Sequence, residues 1–207
     1  MLGTKVGILA IQGDIEENID STNKALTSLS HNGKAMEIRY PNDLETVDGL
    51  IIPGGESTVI GNILSRNVDM WPTLQKRLLN GMPALGTCAG MIVMATKAYD
   101  IVGGEMNQRL LGVLDVVVER NSFGRQIESF ETDLHINGLG ADKFRGVFIR
   151  APSVKSVGPN VKILGRLNDK IIAVQQGNII GTSFHPELSG DNRFHTRLIQ
   201  LIIDSKN

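Results

Sequence analysis

The sequence lacks the materials that several classes of protein require. A single cysteine, Cys88, excludes an internal disulfide and a structural zinc site built on paired thiolates. Aromatic residues make up only 4% of the 207 residues and the formal net charge is −1, which argues against a nucleic-acid-binding protein. No apolar run approaches the ~18 residues that a membrane-spanning helix needs. We therefore expect one domain over residues 1–207, in a reducing compartment such as the cytoplasm.

Glycine is abundant instead, and the apolar residues occur in short runs. There are 23 glycines, and 41% of the residues are hydrophobic, which is enough for a folded core. In the first half of the chain, apolar runs alternate with amphipathic stretches, a pattern that predicts parallel strands joined by helices. The predicted strands cover residues 6–11, 35–39, 49–52 and 83–87. The predicted helices cover residues 14–29, 58–65, 72–80 and 89–98, and Asp14 is the expected cap of the first.

The second half of the chain changes to consecutive strands. Strands are predicted at 112–119, 126–136, 147–150, 161–167, 171–176 and 179–184, followed by a closing helix at 193–203. Turn residues at 168–169 and 176–178 indicate hairpins, and strands that are joined directly pair antiparallel. We therefore expect an α/β fold of three layers, in which helices flank a mixed, mostly parallel sheet with an antiparallel extension.

A glycine-flanked cysteine stands between a predicted strand and a predicted helix. The segment Gly86-Thr87-Cys88-Ala89-Gly90 has the pattern of a nucleophile elbow, a sharp turn that presents its central side chain at the carboxyl edge of the sheet. The helix that follows favours a thiolate, and the amide of Ala89 can donate to an oxyanion. A lone cysteine is more often a small buried apolar residue, but the elbow context favours a nucleophile.

The second candidate is a histidine that follows the predicted strand 179–184. His185 and Glu187 are two residues apart, so an extended backbone would direct both side chains to the same side, with Pro186 stiffening the chain between them. A carboxylate beside an imidazole holds its tautomer and stabilises the imidazolium. The alternative is a solvent-exposed turn. Of the four histidines, however, only His185 is followed by a carboxylate at this spacing and preceded by a predicted strand.

A pair of glycines follows the predicted strand 49–52. Adjacent glycines such as Gly54-Gly55 let backbone amides approach a ligand closely. The phosphate-loop pattern G-x-x-x-x-G-K-[ST] is absent. We therefore favour an oxyanion loop in which Glu56 and Ser57 hold a polar substrate, and the alternative is an ordinary turn.

Two arginines each end an apolar strand, where a side chain could reach a cleft. Arg120 and Arg150 each supply the fork-shaped cation that an α-carboxylate requires. A surface salt bridge is the alternative role for each of them.

Cysteine, histidine and glutamate in this chain order fit acyl transfer through a thioester. Cys88 would attack an amide carbon while His185 transfers protons, and the amides of Gly55 and Ala89 would stabilise the oxyanion. Water would then release the acid. The residues and their spacing leave open which amide is the substrate.

Three longer segments carry more specific information than these motifs. They are Gly-Gly-Glu-Ser-Thr at 54–58, Arg-Asn-Ser-Phe-Gly-Arg-Gln at 120–126 and Ile-Arg-Ala-Pro at 149–152. With the cysteine elbow and the His-x-Glu pair, they make nearly the whole chain resemble the class I glutamine amidotransferases. Within that class the chain is most similar to the glutaminase subunits of two-component pyridoxal 5′-phosphate synthases, the PdxT/SNO family.

The resemblance implies a flavodoxin-like amidotransferase fold and a set of site residues. The implied triad is Cys88, His185 and Glu187. The implied glutamine-binding residues are Gly55, Glu56, Ser57, Arg120, Ile149 and Arg150. The implied products are glutamate and ammonia, formed without a cofactor or a metal.

The resemblance also implies a partner. In this family ammonia passes to a separate synthase subunit, a (β/α)8 barrel, and up to twelve glutaminases decorate a double hexameric ring of synthase subunits. The glutaminases are weak or silent until that partner docks.

Three other functions remain open. They are the glutaminase subunit of another biosynthetic pathway, a docking subunit without catalytic activity, and a redox-sensor or chaperone domain of similar fold. The last would need a reactive Cys88 but neither His185 nor Glu187.

Overall fold

The apolar runs of the sequence form one large sheet, and the amphipathic stretches form helices around it. The computed structural model describes residues 3–100, 104–105, 108–123 and 129–206. The strands are β1 (Thr4–Leu9), β2 (Gly33–Ile38), β3 (Gly49–Ile52), β4 (Ala84–Thr87), β5 (Ala95–Asp100), β6 (Gly104–Glu105), β7 (Leu114–Arg120), β8 (Ser129–Leu134), β9 (Phe144–Ile149), β10 (Ser153–Val157), β11 (Lys162–Leu167), β12 (Lys170–Gln176) and β13 (Ile179–Thr182). The helices are α1 (Ile15–Ser28), α2 (Pro41–Leu44), α3 (Ser57–Arg66), α4 (Met70–Leu79), α5 (Ala89–Met94) and α6 (Arg193–Ser205), with a short 3-10 helix at Pro186–Leu188. Within these described ranges, no helix is long and apolar enough to cross a membrane.

Five parallel strands form the part of the sheet that carries the candidate site. In the order β2-β1-β3-β4-β13, each strand pairs in parallel with the next. The register places Thr87 of β4 opposite Thr182 of β13, and Gly86 opposite Ile52 of β3. Parallel strands end at the same edge of a sheet, where ligands of open α/β sheets bind. The segments that follow β1, β3, β4 and β13 therefore leave the sheet side by side.

Beyond β13 the sheet continues with antiparallel strands, as the hairpin signals predict. Strand β12 pairs antiparallel with β13, β11 and β10, and β10 pairs antiparallel with β7. Strand β5 then lies parallel to β7, and β6 pairs with β5. Strands β8 and β9 form a separate two-stranded antiparallel sheet. The mixed sheet with an antiparallel extension is thus confirmed.

Buried apolar side chains form two clusters, because neighbouring residues of a strand point to opposite faces of the sheet. In one cluster, Ile51 of β3 packs with Leu26 of α1 and Ile202 of α6. In the other, Leu50 of β3 packs with Leu64 of α3, together with residues of α4 and α5. Helices therefore cover both faces, and the three predicted layers are present.

The predictions fail in one helix and miss two strands and one short α-helix. The helix predicted over 89–98 ends at Met94, and the chain continues as β5. Pairing with β7 supplies the backbone hydrogen bonds that a longer helix would otherwise provide, so tertiary contacts override local helix propensity there. Strands β6 and β10 and the short helix α2 were not predicted. Of the strand predicted at 126–136, residues 129–134 form β8, while 126–128 lie outside the described residues.

A buried histidine joins the first and last long helices. His195 of α6 is fully buried, and its Nε2 lies 3.2 Å from Oδ1 of Asn18 in α1. Burial lowers the pKa of His195 to about 4, because an imidazolium would lose its hydration there. As the pH falls below 6.5, the unfolded chain takes up a proton that the folded chain does not. The stability contributed by neutral His195 is complete above that pH and is lost progressively towards pH 4.

We predict that His195→Gln flattens this pH dependence. Glutamine can still donate a hydrogen bond to Asn18 but does not titrate. Between pH 6.5 and about 4, the wild-type chain should therefore lose about 3 kcal/mol more unfolding free energy than the variant. Urea unfolding followed by circular dichroism at several pH values measures this difference. His135→Gln, at an exposed position, is the control and should follow the wild type. An equal pH dependence in His195→Gln and the wild type would contradict the prediction.

Candidate active site

The segment after β4 makes a sharp turn that presents Cys88. The φ of Cys88 is 48°, a left-handed conformation that strains a residue other than glycine. A Cβ on Gly86 would lie 2.3 Å from Cε of Met94, and a Cβ on Gly90 would lie 1.9 Å from the carbonyl oxygen of Ile52. The flanking glycines are therefore required for close packing at the turn, as the elbow pattern predicts.

His185 lies beside this turn because β13 neighbours β4. Its backbone N–H donates to the carbonyl of Val147 at 2.9 Å, after which the chain turns into the 3-10 helix. The expected extended His-x-Glu segment is thus wrong in conformation. The turn nevertheless brings Oε1 of Glu187 to 2.9 Å from Nδ1 of His185. Both residues are buried, with 4% and 7% of their surface exposed.

A second carboxylate contacts the same nitrogen, in a role that no motif of the sequence predicts. Oδ2 of Asp14 lies 2.9 Å from Nδ1 of His185. Asp14 occupies the N-cap position of α1, as predicted, but its side chain makes no capping hydrogen bond. The available signal was its position just after β1, at the edge of the sheet where Cys88 is also expected.

Thr87 joins the glycine loop to the buried glutamate. Its Oγ1 accepts a hydrogen bond from the N–H of Gly54 at 2.9 Å and lies 3.5 Å from Oε1 of Glu187, to which it can donate. Thr87 is fully buried. This hydroxyl therefore connects the segments that follow β3, β4 and β13.

The glycine loop after β3 is held by contacts within the protein. Gly55 has a φ of 152°, which glycine adopts without strain. The N–H of Glu56 donates to Oε1 of Gln12 at 2.8 Å. Ser57 is bound by Gln108, whose Nε2 donates to the carbonyl of Ser57 at 2.9 Å and whose Oε1 accepts from its hydroxyl at 3.3 Å. The two glutamines were not predicted, because only the folded chain brings them to the loop.

The two predicted arginines lie at the same opening. Nη2 of Arg120 donates to Oε1 of Glu56 at 2.8 Å, so these two predicted binding residues form an ion pair. Arg150 is exposed and has a φ of 42°, the left-handed region again. The carbonyl of Ile149, directly before it, lies 3.9 Å from Sγ of Cys88. The strained turn after β9 thus places Ile149 against the cysteine.

These side chains surround one pocket of about 260 Å³, a size that suits a small molecule. Eight of the nine residues predicted for the site line it: Gly55, Glu56, Ser57, Cys88, Arg120, Ile149, Arg150 and His185. The ninth, Glu187, lies behind His185 and is bonded to it. Ala89, whose amide is a predicted oxyanion donor, also lines the pocket, together with Gln12, Asp14, Ile92 and Asn121, which no motif assigned to the substrate.

The electrostatics of the site favour an imidazolium at His185. Burial opposes its protonation, but hydrogen bonds to Asp14, Cys88 and Glu187 outweigh burial and raise the pKa of His185. Burial also raises the pKa of Glu187, against the hydrogen bond from His185. The pKa of Asp14 is lowered, chiefly by its hydrogen bond with His185. A proton donor is therefore held beside the cysteine.

The same three residues have ligand atoms close enough for a metal ion. The relevant atoms of Asp14, His185 and Glu187 lie within 4.8 Å of one another. Each carboxylate, however, lies 2.9 Å from the same Nδ1, a hydrogen-bond distance. We interpret the cluster as a hydrogen-bonded one.

Comparisons with known proteins show the family to which the chain belongs. The sequence model of the SNO glutamine amidotransferase family matches residues 8–204. The chain belongs to this family. It is 43% identical over 205 residues to pyridoxal 5′-phosphate synthase subunit PdxT of Nitrosopumilus maritimus (strain SCM1), covering 99% of this chain and 100% of that protein. It is 50% identical over 192 residues to the subunit of the same name from Leifsonia xyli subsp. xyli (strain CTCB07), covering 92% of each.

A solved structure described as a glutamine amidotransferase is similar along nearly its whole length. The TM-score is 0.82 at 42% identity, and the alignment covers 95% of this chain and 98% of that one. The resemblance inferred from the motifs and the predicted amidotransferase fold are both confirmed.

We predict that Thr87→Val destabilises this amidotransferase without changing its packing volume much. Valine removes the oxygen that accepts from Gly54 and leaves that buried N–H without a partner, which should cost about 1–3 kcal/mol of unfolding free energy. Urea unfolding measures the loss. Thr27→Val, on the exposed face of α1, is the matched control and should change stability by no more than about 0.5 kcal/mol. Equal stability of Thr87→Val and the wild type would show that the hydroxyl is dispensable.

Proposed function

We propose that this chain is the glutaminase subunit of a two-component pyridoxal 5′-phosphate synthase. The observation that carries the proposal is that Cys88 and His185 line one pocket, with Glu187 bonded to His185 behind it, in a chain whose full-length relatives bear that subunit's name. We further propose that residues 1–207 act as one domain and that the cytoplasm, a reducing compartment, keeps the single cysteine as a thiol.

Charged side chains of the pocket are complementary to the α-ammonium and α-carboxylate groups of L-glutamine. Glu56 can bind the α-ammonium group, and the guanidinium of Arg120 can bind the α-carboxylate through a two-pronged contact. These two side chains are paired with each other, so glutamine would exchange that contact for its own. Ser57, Ile149 and Arg150 complete the binding set in this proposal.

The first chemical step is an attack of the Cys88 thiolate on the side-chain amide carbon. The carbonyl π electrons move to oxygen, and the N–H groups of Gly55 and Ala89 are the proposed donors to that oxyanion. As the carbonyl re-forms, the carbon–nitrogen bond breaks and the His185 imidazolium gives its proton to the leaving nitrogen. Ammonia and a glutamyl thioester result.

The second step is hydrolysis of the thioester. Neutral His185 takes a proton from a water molecule as its oxygen attacks the thioester carbon. The carbon–sulfur bond then breaks, which frees glutamate as its γ-carboxylic acid and returns the thiolate and the imidazolium; the acid then loses its proton to water. Glu187 accepts the hydrogen bond from Nδ1 of His185 throughout, and it stabilises the imidazolium whenever His185 is protonated. The net reaction consumes one glutamine and one water and forms one glutamate and one ammonia.

Ammonia would leave this site for a partner. We propose that a separate synthase subunit docks over the edge of the sheet near Cys88, so that ammonia does not reach bulk water. An assembly with up to twelve copies of each subunit follows the family pattern. Glutamine hydrolysis measured with and without the purified synthase tests whether docking activates the site.

We predict that Cys88→Ala reduces ammonia release from glutamine, in the presence of the synthase, by at least about a thousandfold. His185→Gln should have a comparable effect, because the leaving nitrogen then lacks its proton donor. The matched control is His135→Gln, whose imidazole is exposed and whose activity should equal that of the wild type. Activity that persists in Cys88→Ala would rule out the thioester route.

We predict that Arg120→Lys raises KM for glutamine about tenfold while kcat changes by no more than about twofold. Lysine keeps the charge but loses the two-pronged contact with a carboxylate. Arg166→Lys, at an exposed position, is the control. A loss in kcat with unchanged KM would show that Arg120 acts in the chemical step and not in substrate binding.

The remaining alternatives predict different results. A glutaminase of another pathway would be accelerated by a different synthase, so candidate partners are compared in the same ammonia assay. A docking subunit without catalytic activity would not be labelled at Cys88 by a glutamine-like electrophile when the partner is bound. A redox sensor would react with peroxide equally well in His185→Gln.

A further inference from the structure

Two carboxylates on one imidazole nitrogen exceed what a catalytic triad requires. Nδ1 of His185 lies 2.9 Å from Oε1 of Glu187 and 2.9 Å from Oδ2 of Asp14. Glu187 approaches from the chain segment of His185 itself, whereas Asp14 comes from the turn between β1 and α1. Both carboxylates therefore lie at Nδ1, which leaves Nε2 as the ring nitrogen that can face Cys88.

Asp14 is diverted from the role that its position favours. Aspartate is among the preferred N-cap residues because its side chain can accept from the first helical N–H groups. Asp14 is the N-cap of α1, yet its side chain makes no such bond and is directed to His185 instead. The helix forgoes a capping interaction, so the contact with the imidazole accounts for the orientation of the side chain.

The imidazole is also confined on another side. A Cβ on Gly54 would lie 2.3 Å from Cε1 of His185, 2.8 Å from Nδ1 and 3.3 Å from Oδ2 of Asp14. The glycine backbone therefore packs against the ring edge and the aspartate together. The ring cannot swing away from Asp14 towards the glycine loop without a collision.

The two carboxylates differ in their surroundings. The side chain of Glu187 is fully buried, whereas that of Asp14 is 32% exposed and lines the pocket. The titratable groups that face His185 are Asp14, Glu187 and Cys88, and the charged groups elsewhere on the pocket wall are Glu56, Arg120 and Arg150. The pKa of Asp14 is lowered by the hydrogen bond with His185, while burial raises that of Glu187. Asp14 is thus the carboxylate that remains an anion more readily.

We propose that Asp14 is a positioning residue for the reaction: a second acceptor for the Nδ1–H of His185 that steadies the imidazolium and keeps Nε2 directed at Cys88. It acts through His185 and need not touch the substrate. The inference rests on the proposed glutaminase chemistry for its functional meaning, but the contact can be tested without any turnover.

The first test is a titration of His185 in the free full-length chain, followed by nitrogen-15 NMR of the imidazole. Asp14→Asn removes the charge and keeps a good N-cap residue, so α1 is preserved. We expect the pKa of His185 to fall by about one unit or more, because an opposite charge within hydrogen-bond distance is lost. Asp14→Glu keeps the charge and should retain more of the raised pKa than Asp14→Asn does.

The matched control is Asp20→Asn. Asp20 lies on the exposed face of the same helix and pairs with Lys24, so this variant removes the same charge from α1 without touching the site. It should leave the titration of His185 unchanged. An unchanged pKa in Asp14→Asn, or an equal shift in Asp20→Asn, would overturn the inference.

The second test is the pH profile of glutamine hydrolysis with the synthase present. The alkaline limb, which reports loss of the imidazolium proton, should move to lower pH by about one unit or more in Asp14→Asn and stay in place in Asp20→Asn. A rise in KM with an unmoved alkaline limb would make Asp14 a substrate-binding residue and refute the positioning role. If the wild type releases no ammonia with its synthase, the proposed function fails, while the NMR titration still decides the contact.

Discussion

The site depends on one constraint, which is that four parallel strands end at the same edge of the sheet. Strands β1, β3, β4 and β13 are separated by long stretches of sequence but pair in an order that makes their exits adjacent. The segment after each strand contributes one part of the site. In the same order, these parts are Asp14 with Gln12, the glycine loop, Cys88, and His185 with Glu187. A change in strand order would separate these parts even if every local turn were kept.

Glycine residues then allow these adjacent segments to pack against one another. Side chains larger than hydrogen at Gly54, Gly86 or Gly90 would collide with the imidazole, with Met94 or with the carbonyl of Ile52. Several buried polar groups at this edge bind one another, as Thr87 does with Gly54 and Glu187. Unpaired, the same groups would each destabilise the fold by about 1–3 kcal/mol.

The part of the pocket that we propose binds the substrate is built differently from the part that we propose carries out the reaction. Cys88, His185 and Glu187 are held by short turns and buried contacts, whereas Glu56 and Arg120 bind each other at the partly exposed opening. Gln12 and Gln108 hold the backbone and side chains of the glycine loop. Ligand binding in the proposed reaction therefore exchanges polar contacts of the loop, while the nucleophile and its base stay in place.

Local patterns in the sequence determined most elements of the first half, the cysteine elbow and the pairing of His185 with Glu187, though not the conformation of that pair, because each depends on neighbours a few residues apart. Eight of the nine predicted site residues line one pocket, and Glu187 contacts His185 behind it, because the parallel sheet brings these local motifs to one edge. Only the tertiary structure decided that Asp14 binds His185 instead of capping its helix, and that Gln12 and Gln108 fasten the loop. It also decided that the chain after Met94 joins the sheet as β5. Such contacts join segments distant in sequence, and they are set by strand order and packing, which local spacing does not encode.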